Sequence, residues 1–319
     1  KDSILGANLN NLDDVKKIIH SVKQNSLMIA QTPHTFSGIE VAILDLLAKK
    51  NQSPIYEMIG YTKSNPRIAY ASVLFGSAPD QTLKIASDMS KKNFKAVKFG
   101  WQNFGLDLNK DKDHLVAARE GLGKDLMLMV DAGAIWGNNV ETALKRADIL
   151  KEAKVTWLEE PFYSDAFYEY SELANKSLIP LAGGESCHSV ESAKNMIRYG
   201  KIKYIQVDAG IVGGILAGKD IAKFAEDNDV QYVNHTFTSH LQLSASLQSY
   251  AGSINSNLAE YPMQLKSLAW DLTKNHILVS EDGYINLPSD IGHGIVINEE
   301  ALTQYKVDVE IKINEKRVF

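Results

Sequence analysis

Val155-Thr-Trp-Leu-Glu-Glu-Pro-Phe162 is the stretch from which the rest of the chain can be read. Apolar and β-branched residues lead into two carboxylates, and a proline ends the run, as in a buried parallel strand that surfaces at its C-terminal end. Successive strand side chains point to opposite faces, so Glu159 and Glu160 diverge and one of them faces an interior. An interior carboxylate needs a partner, and a metal ion is among the few that offset its burial.

Working outward, similar runs recur at Ile68–Ser72, Ala96–Phe99, Leu126–Asp131, Ile179–Ala182, Ile202–Asp208, Val230–His235 and Asn257–Glu260. Helical spacing separates many of them, at Gln81–Lys92, His114–Glu120, Val140–Lys154, Val190–Tyr199 and Lys219–Asp227. Eight strands alternating with helices predict parallel βα units closed into an α/β barrel. Residues 1–62 read as helical, with apolar helical spacing over Asn11–His20 and an amphipathic helix over Ser37–Lys50 capped by Ser37. Residues 63–271 carry the barrel, and 272–319, with an Asp282-Gly283 turn and a short strand at Ile295–Ile297, return to the accessory piece.

Bulk properties narrow the function. Of 319 residues, 45% are hydrophobic, enough for a sizeable core. Lys and Arg number 34 against 39 Asp and Glu, a net charge of −5 without a long basic run, which argues against a nucleic-acid partner. No apolar stretch reaches the roughly 18 residues of a membrane span. One cysteine, Cys187, builds no disulfide framework and fits a reducing, cytoplasmic compartment. The chain starts at Lys1, so the expectation is that the native N-terminus lies upstream.

One event repeats at the strand ends. Asp131, Glu159, Glu185, Asp208, His235 and Glu260 each close or follow a strand, and Lys98 sits within the second. In a parallel barrel these ends gather on the face where barrel enzymes do chemistry. Asp131, Glu159 and Glu185 follow one another at intervals of 28 and 26 residues. Three converging carboxylates repel one another and raise each other's pKa unless a cation joins them, and Mg²⁺ suits an all-oxygen donor set.

Ala96-Val-Lys98, Val130-Asp-Ala132, Trp157-Leu-Glu-Glu-Pro161, Gly183-Gly-Glu185, Asp208 and Val212-Gly-Gly214 together resemble the enolase superfamily, and within it the mandelate racemase subgroup. The similarity runs from Ser37-Gly-Ile-Glu40 to Gly292-His-Gly-Ile295. It implies a modified (β/α)₇β barrel beneath an α+β cap, whose opening strands are missing from residues 1–62. It also implies Mg²⁺ held by Asp131, Glu159 and Glu185, with Glu160 a neighbour rather than a ligand. Asp208 and His235 match the family's Asp–His dyad, in which the carboxylate orients the imidazole base. His240 of Ser239-His-Leu241 is the rival base, set aside because His235 terminates an apolar strand. Lys98 and Glu260 match groups that contact the substrate carboxylate. The sequon Asn234-His-Thr236 lies at a strand end, a poor place for a glycan.

The subgroup commonly carries Lys-x-Lys on strand two, the second lysine serving the opposite face of the substrate. Here the run is Lys98-Phe-Gly100-Trp101, with Phe99 in the packing and Trp101 in the packing or a pocket wall. Glycine carries no proton, which favours one-faced chemistry: dehydration of an acid sugar, an aldonate or aldarate, to a 2-keto-3-deoxy acid. Racemisation or epimerisation next to a carboxylate is the alternative, and a catalytically degenerate carboxylate binder is the third. The resemblance further implies a small carboxylate substrate and a homo-oligomer.

Overall fold

The computed structural model describes residues 4–24, 32–101, 103–263, 265–308, 310, 312–313 and 316–317. Helices α1 (Leu12–Gln24), α2 (Thr32–Asn51) and α3 (Ile55–Met58) come first. Then follow β1 (Arg67–Leu74), α4 (Pro79–Ser90), β2 (Ala96–Gly100), α5 (Leu108–Leu122), β3 (Met127–Asp131), α6 (Val140–Leu144), α7 (Ala147–Glu152) and β4 (Val155–Glu159). The alternation continues through α8 (Phe167–Lys176), β5 (Leu181–Gly183), α9 (Val190–Gly200), β6 (Tyr204–Val207), α10 (Ile215–Glu226), β7 (Gln231–Asn234), α11 (His240–Gln248) and β8 (Leu258–Pro262). A short β9 (Tyr284–Ile285) pairs antiparallel with the start of β1.

Strands β1 to β8 form a parallel, nearly closed barrel in the order β7-β6-β5-β4-β3-β2-β1-β8, so the expected α/β barrel is the fold. Its interior floor is a layer of Tyr70, Ala96, Met129, Trp157, Ala182, Val233 and Leu258. Two residues further on from six of these seven, on the same face, stand Ser72, Lys98, Asp131, Glu159, His235 and Glu260, while Ala182 is followed there by Gly184. Period two therefore lifts a polar layer directly above an apolar one. It also answers the question posed by the paired glutamates, because Glu159 shares the inner face with Trp157 while Glu160 turns away. Between barrel and helices lies the main apolar shell, including Leu128, Val130, Leu158, Ile205, Ile221 and Tyr232.

The N-terminal helices pack through Val15, Ile18, Ile19, Ile43, Leu44 and Leu47 onto Ile215 and Ala245 of the barrel helices. Here the structure corrects a detail. Ser37 does not cap α2, which begins at Thr32. Its hydroxyl donates to Pro33 O at 2.5 Å and accepts from Gly213 N–H at 2.9 Å. Glu40, one turn further, accepts from the N–H groups of Ile215 and Leu216 at 2.9 and 2.8 Å. A carboxylate on α2 thus satisfies the first turn of α10, where unpaired donors and the helix dipole favour negative charge. Gly214 must be glycine: its φ is +103°, and a Cβ there would meet Glu40 Oε2 at 2.3 Å.

Other boundaries shift for local reasons. Helix α5 starts at Leu108 because Asp107 accepts from the N–H groups of Asn109 and Lys110, although residues 108–113 lack apolar periodicity. The expected helix over 140–154 breaks at Lys145–Arg146, where Arg146 is drawn into an ion pair with Asp111 at 2.8 Å. Strand β5 is only three residues long, since Pro180 has no N–H for a ladder. Ile295–Ile297 is not a strand; Ile297 makes an isolated bridge with Thr273. The turn at Gly283 is present, with φ +82°. Gly292 bonds Ile55 N–H and Ser53 O, so the C-terminal segment reaches the helical piece. Among the described residues, no helix is long and apolar enough to cross a membrane.

Candidate active site

At the C-terminal mouth of the barrel lies a cavity of about 400 Å³, lined by Ser72, Val73, Leu74, Lys98, Gly100, Trp101, Asp131, Glu185, His235, Phe237 and Glu260. Parallel register brings its charged groups together. Gly100 sits beside Asp131, and Asp131 beside Glu159, as Cα partners across neighbouring strands. Carboxylate oxygens of Asp131, Glu159 and Glu185 all lie within 4.8 Å of one another.

Donors fix Asp131, Glu159 and the neighbouring Glu260. Asp131 accepts from Gly133 N–H at 2.8 Å on Oδ1 and from the Trp101 indole N–H at 3.0 Å on Oδ2. Glu159 accepts from the Trp157 indole at 3.0 Å and from Lys98 at 2.5 Å. Lys98 also reaches Glu260 at 2.8 Å, and Glu260 accepts from Thr236 N–H at 2.8 Å. Burial alone would lower the Lys98 pKa, but Glu159 and Glu260 outweigh it and hold the ammonium well above its usual range. Burial would likewise raise Glu260, yet Lys98 and His235 keep it below the ordinary carboxylate range.

At the remaining carboxylates burial outweighs the neighbouring cations. Burial, opposed by Lys98 and reinforced by Glu185, pushes Asp131 up to about 6. Burial pushes Glu159 up to about 7 even with Lys98 attached, and raises Glu185 despite the attraction of His235. Three oxygen donors that resist carrying their charges together are a donor set for a hard divalent cation, so the residues present fit Mg²⁺.

His235 lines the same cavity just past the end of β7. Its Nδ1–H donates to Asp208 Oδ2 at 2.8 Å, and its Nε2 faces Glu185 Oε2 at 3.5 Å. Asp208 is itself set by Gly210 N–H at 2.7 Å and by the Gln242 amide at 2.5 Å. Burial would depress the imidazole, but the Asp208 hydrogen bond and the Glu260 and Glu185 charges overcome it and push the pKa up to about 10.

His240 is elsewhere. Its Nδ1 accepts from Ile277 N–H at 3.2 Å, and its ring lies edge-on to Trp270 and His276. Burial, with His276 adding, pushes it down to about 4. Glu160 points away from the cavity, accepting from Gly184 N–H at 3.2 Å, and burial raises its pKa to about 8. Phe99 packs on the outer side of β2 against Phe75, and the sequon's Asn234 is fully buried. Sequence reasoning missed Gln242, the two indole donors and the backbone N–H of Thr236. None of these belongs to a motif of charged residues at strand ends, and only the folded register aims them at the site.

The family model described as enolase C-terminal domain-like matches residues 81–301. The crystal structure of a predicted mandelate racemase from Rhodobacter sphaeroides has a TM-score of 0.94 and 42% identity, covering 100% of this chain and 82% of that one. D-galactarolactone cycloisomerase of Agrobacterium fabrum is 26% identical over 280 residues, 85% of this chain and 73% of its own. Arabinonate dehydratase of Saccharolobus solfataricus is 25% identical over 273 residues, 85% of this chain and 71% of its own. Named reactions thus differ among relatives of similar likeness.

Proposed function

Because this chain belongs to the enolase superfamily, whose members bind Mg²⁺ and act on small carboxylates, we propose that it is a hydro-lyase that dehydrates an acid sugar to a 2-keto-3-deoxy acid. One observation carries the reading: the His235–Asp208 dyad faces the cavity from one wall, while Gly100 stands where a second proton carrier is needed on the other. Asp131, Glu159 and Glu185 would hold Mg²⁺. Bound there, the ion supplies a Lewis acid for the substrate carboxylate and offsets part of the negative charge that keeps His235 protonated.

The chain's own residues divide the remaining work. Lys98, permanently charged between Glu159 and Glu260, presents an ammonium to the carboxylate end of the substrate. Glu260, held ionised, accepts hydrogen bonds from substrate. His235, oriented through Nδ1 by Asp208, takes the proton from C2 on Nε2. The same imidazolium then returns that proton to the C3 hydroxyl as the C3–O bond breaks, releasing water. The enol left behind tautomerises to the 2-keto-3-deoxy acid, so atoms balance with no oxidant or reductant. A racemase needs a proton carrier on each face of C2, and Lys98, which also lines the cavity, is committed to two carboxylates.

A screen of aldonates and aldarates with Mg²⁺, detecting 2-keto-3-deoxy product, tests the proposal. Turnover of a related set of diastereomers, lost on chelation and in His235→Asn, supports it. Silence across the library, with C2 epimers forming instead, overturns it.

A further inference from the structure

Trp101 does two things that its exposed position does not require. It adopts a left-handed backbone, φ +59°, a conformation that a bulky L residue takes only when its surroundings impose it. It also leaves its side chain 56% exposed at the rim of the cavity instead of burying the indole. Neither choice serves the core.

Both of its donors land on one residue. The Trp101 backbone N–H reaches Asp131 O at 3.3 Å, and the indole N–H reaches Asp131 Oδ2 at 3.0 Å. Neighbouring positions make room for this grip. Gly100 has no side chain, and a Cβ there would stand 3.2 Å from both the Asp131 Cβ and Oδ2. Gly133, itself left-handed at φ +56°, lies under the indole, where a Cβ would approach Nε1 to 3.2 Å. Gly133 N–H meanwhile holds the other carboxylate oxygen, Oδ1. The carboxylate is therefore fixed at both oxygens and at its backbone carbonyl, and each oxygen keeps a lone pair free.

We propose that Trp101 is a positioning residue for the cation site: its indole N–H orients the Asp131 carboxylate toward Glu159 and Glu185. Gly100, where the subgroup commonly carries a lysine, leaves open the space beside Asp131 Oδ2 that a Cβ would crowd to 3.2 Å. The inference rests on the proposed role of Asp131 as a cation ligand. Hydrogen bonds that orient a ligating carboxylate commonly change metal affinity by roughly 10–100-fold when removed.

Isothermal titration of wild type, Trp101→Phe and Trp101→Gly with Mg²⁺ and with Mn²⁺, beside thermal melts of the metal-free proteins, tests it. Phenylalanine keeps the aromatic bulk without the N–H; glycine removes the N–H but suits the left-handed backbone. The expected result is affinity weakened roughly tenfold or more in both variants, with metal-free Trp101→Gly melting no lower than wild type. Affinities in both variants within about twofold of wild type, against that tenfold expectation, would overturn the role of Trp101 while leaving the cation site standing. Wild type that takes up neither ion at millimolar concentration would instead overturn the cation site, and the inference with it.

Discussion

The side-chain amide of Asn234 bridges to the backbone of Glu260 in both directions: Nδ2 donates to Glu260 O and Oδ1 accepts from Glu260 N–H, each at 3.1 Å. Among the described residues β7 and β8 share no backbone ladder, and the strand order is open there. Asn234 closes the seam with a side chain that imitates a peptide group. Thr236 and Tyr250 complete its hydrogen bonds, at 2.8 Å each. The residue it braces, Glu260, also carries Lys98, so barrel closure and the active site share a support.

Asn234→Ala strands the buried carbonyl and N–H of Glu260 and removes one of the two acceptors of the Tyr250 hydroxyl, which keeps Leu258 O at 3.1 Å. The expected cost is about 2–3 kcal/mol in urea unfolding, with a loss of activity beyond the loss of folded protein. A cost under about 0.5 kcal/mol would mean that other contacts hold the seam.

Metal-free protein gathers three carboxylates whose pKa values burial has raised. Mg²⁺ at 100 times its dissociation constant should stabilise the fold by about 2.7 kcal/mol, read as a rise in Tm. Glu185→Gln should abolish most of that gain without lowering the metal-free Tm, because it removes one of the repelling charges and keeps an oxygen for His235. An unchanged gain would remove Glu185 from the cation site.

His240 gives stability a pH dependence separate from catalysis. Its folded pKa, pushed down to about 4, lies below the ordinary histidine value of 6.5. The unfolded chain therefore binds a proton that the folded one refuses, and stability falls as pH drops from 6.5 toward 4. The contribution reaches at most ~3 kcal/mol. Replacing the ring with His240→Leu should flatten this part of the profile relative to wild type in denaturant melts at pH 7 and pH 4.5. A parallel profile would show that the ring protonates in place.

Much of this was legible in the chain. Strand β4 falls over Val155–Glu159 as read, and the charged strand ends meet at one mouth because parallel strands point the same way. The preference for His235 over His240 rested on the strand, and the strand does deliver His235 beside Asp208. What stayed hidden depends on contacts between distant segments. Nothing local in Ser37-Gly-Ile-Glu40 says that its carboxylate serves the start of α10, 175 residues away. Asn234 reads as a poor glycan acceptor at a strand end, but its brace to Glu260 shows only once β8 is placed beside it. Trp101 reads as packing or a pocket wall, and it does line the cavity, but its left-handed backbone and its grip on Asp131 have no sequence signature.

The central claim is proton transfer on one face of C2 through His235, followed by loss of the C3 hydroxyl. Proton NMR of the reaction in D₂O, with Mg²⁺ and the best acid sugar from the screen, tests it most directly. The account predicts 2-keto-3-deoxy product as the main species, formed with wild type. In His235→Asn, it predicts product formation reduced by roughly 10²–10⁴-fold, with the fold intact. Recovery of the acid deuterated at C2 as a mixture of epimers, without keto product, would contradict it and place a second proton carrier across the cavity from His235.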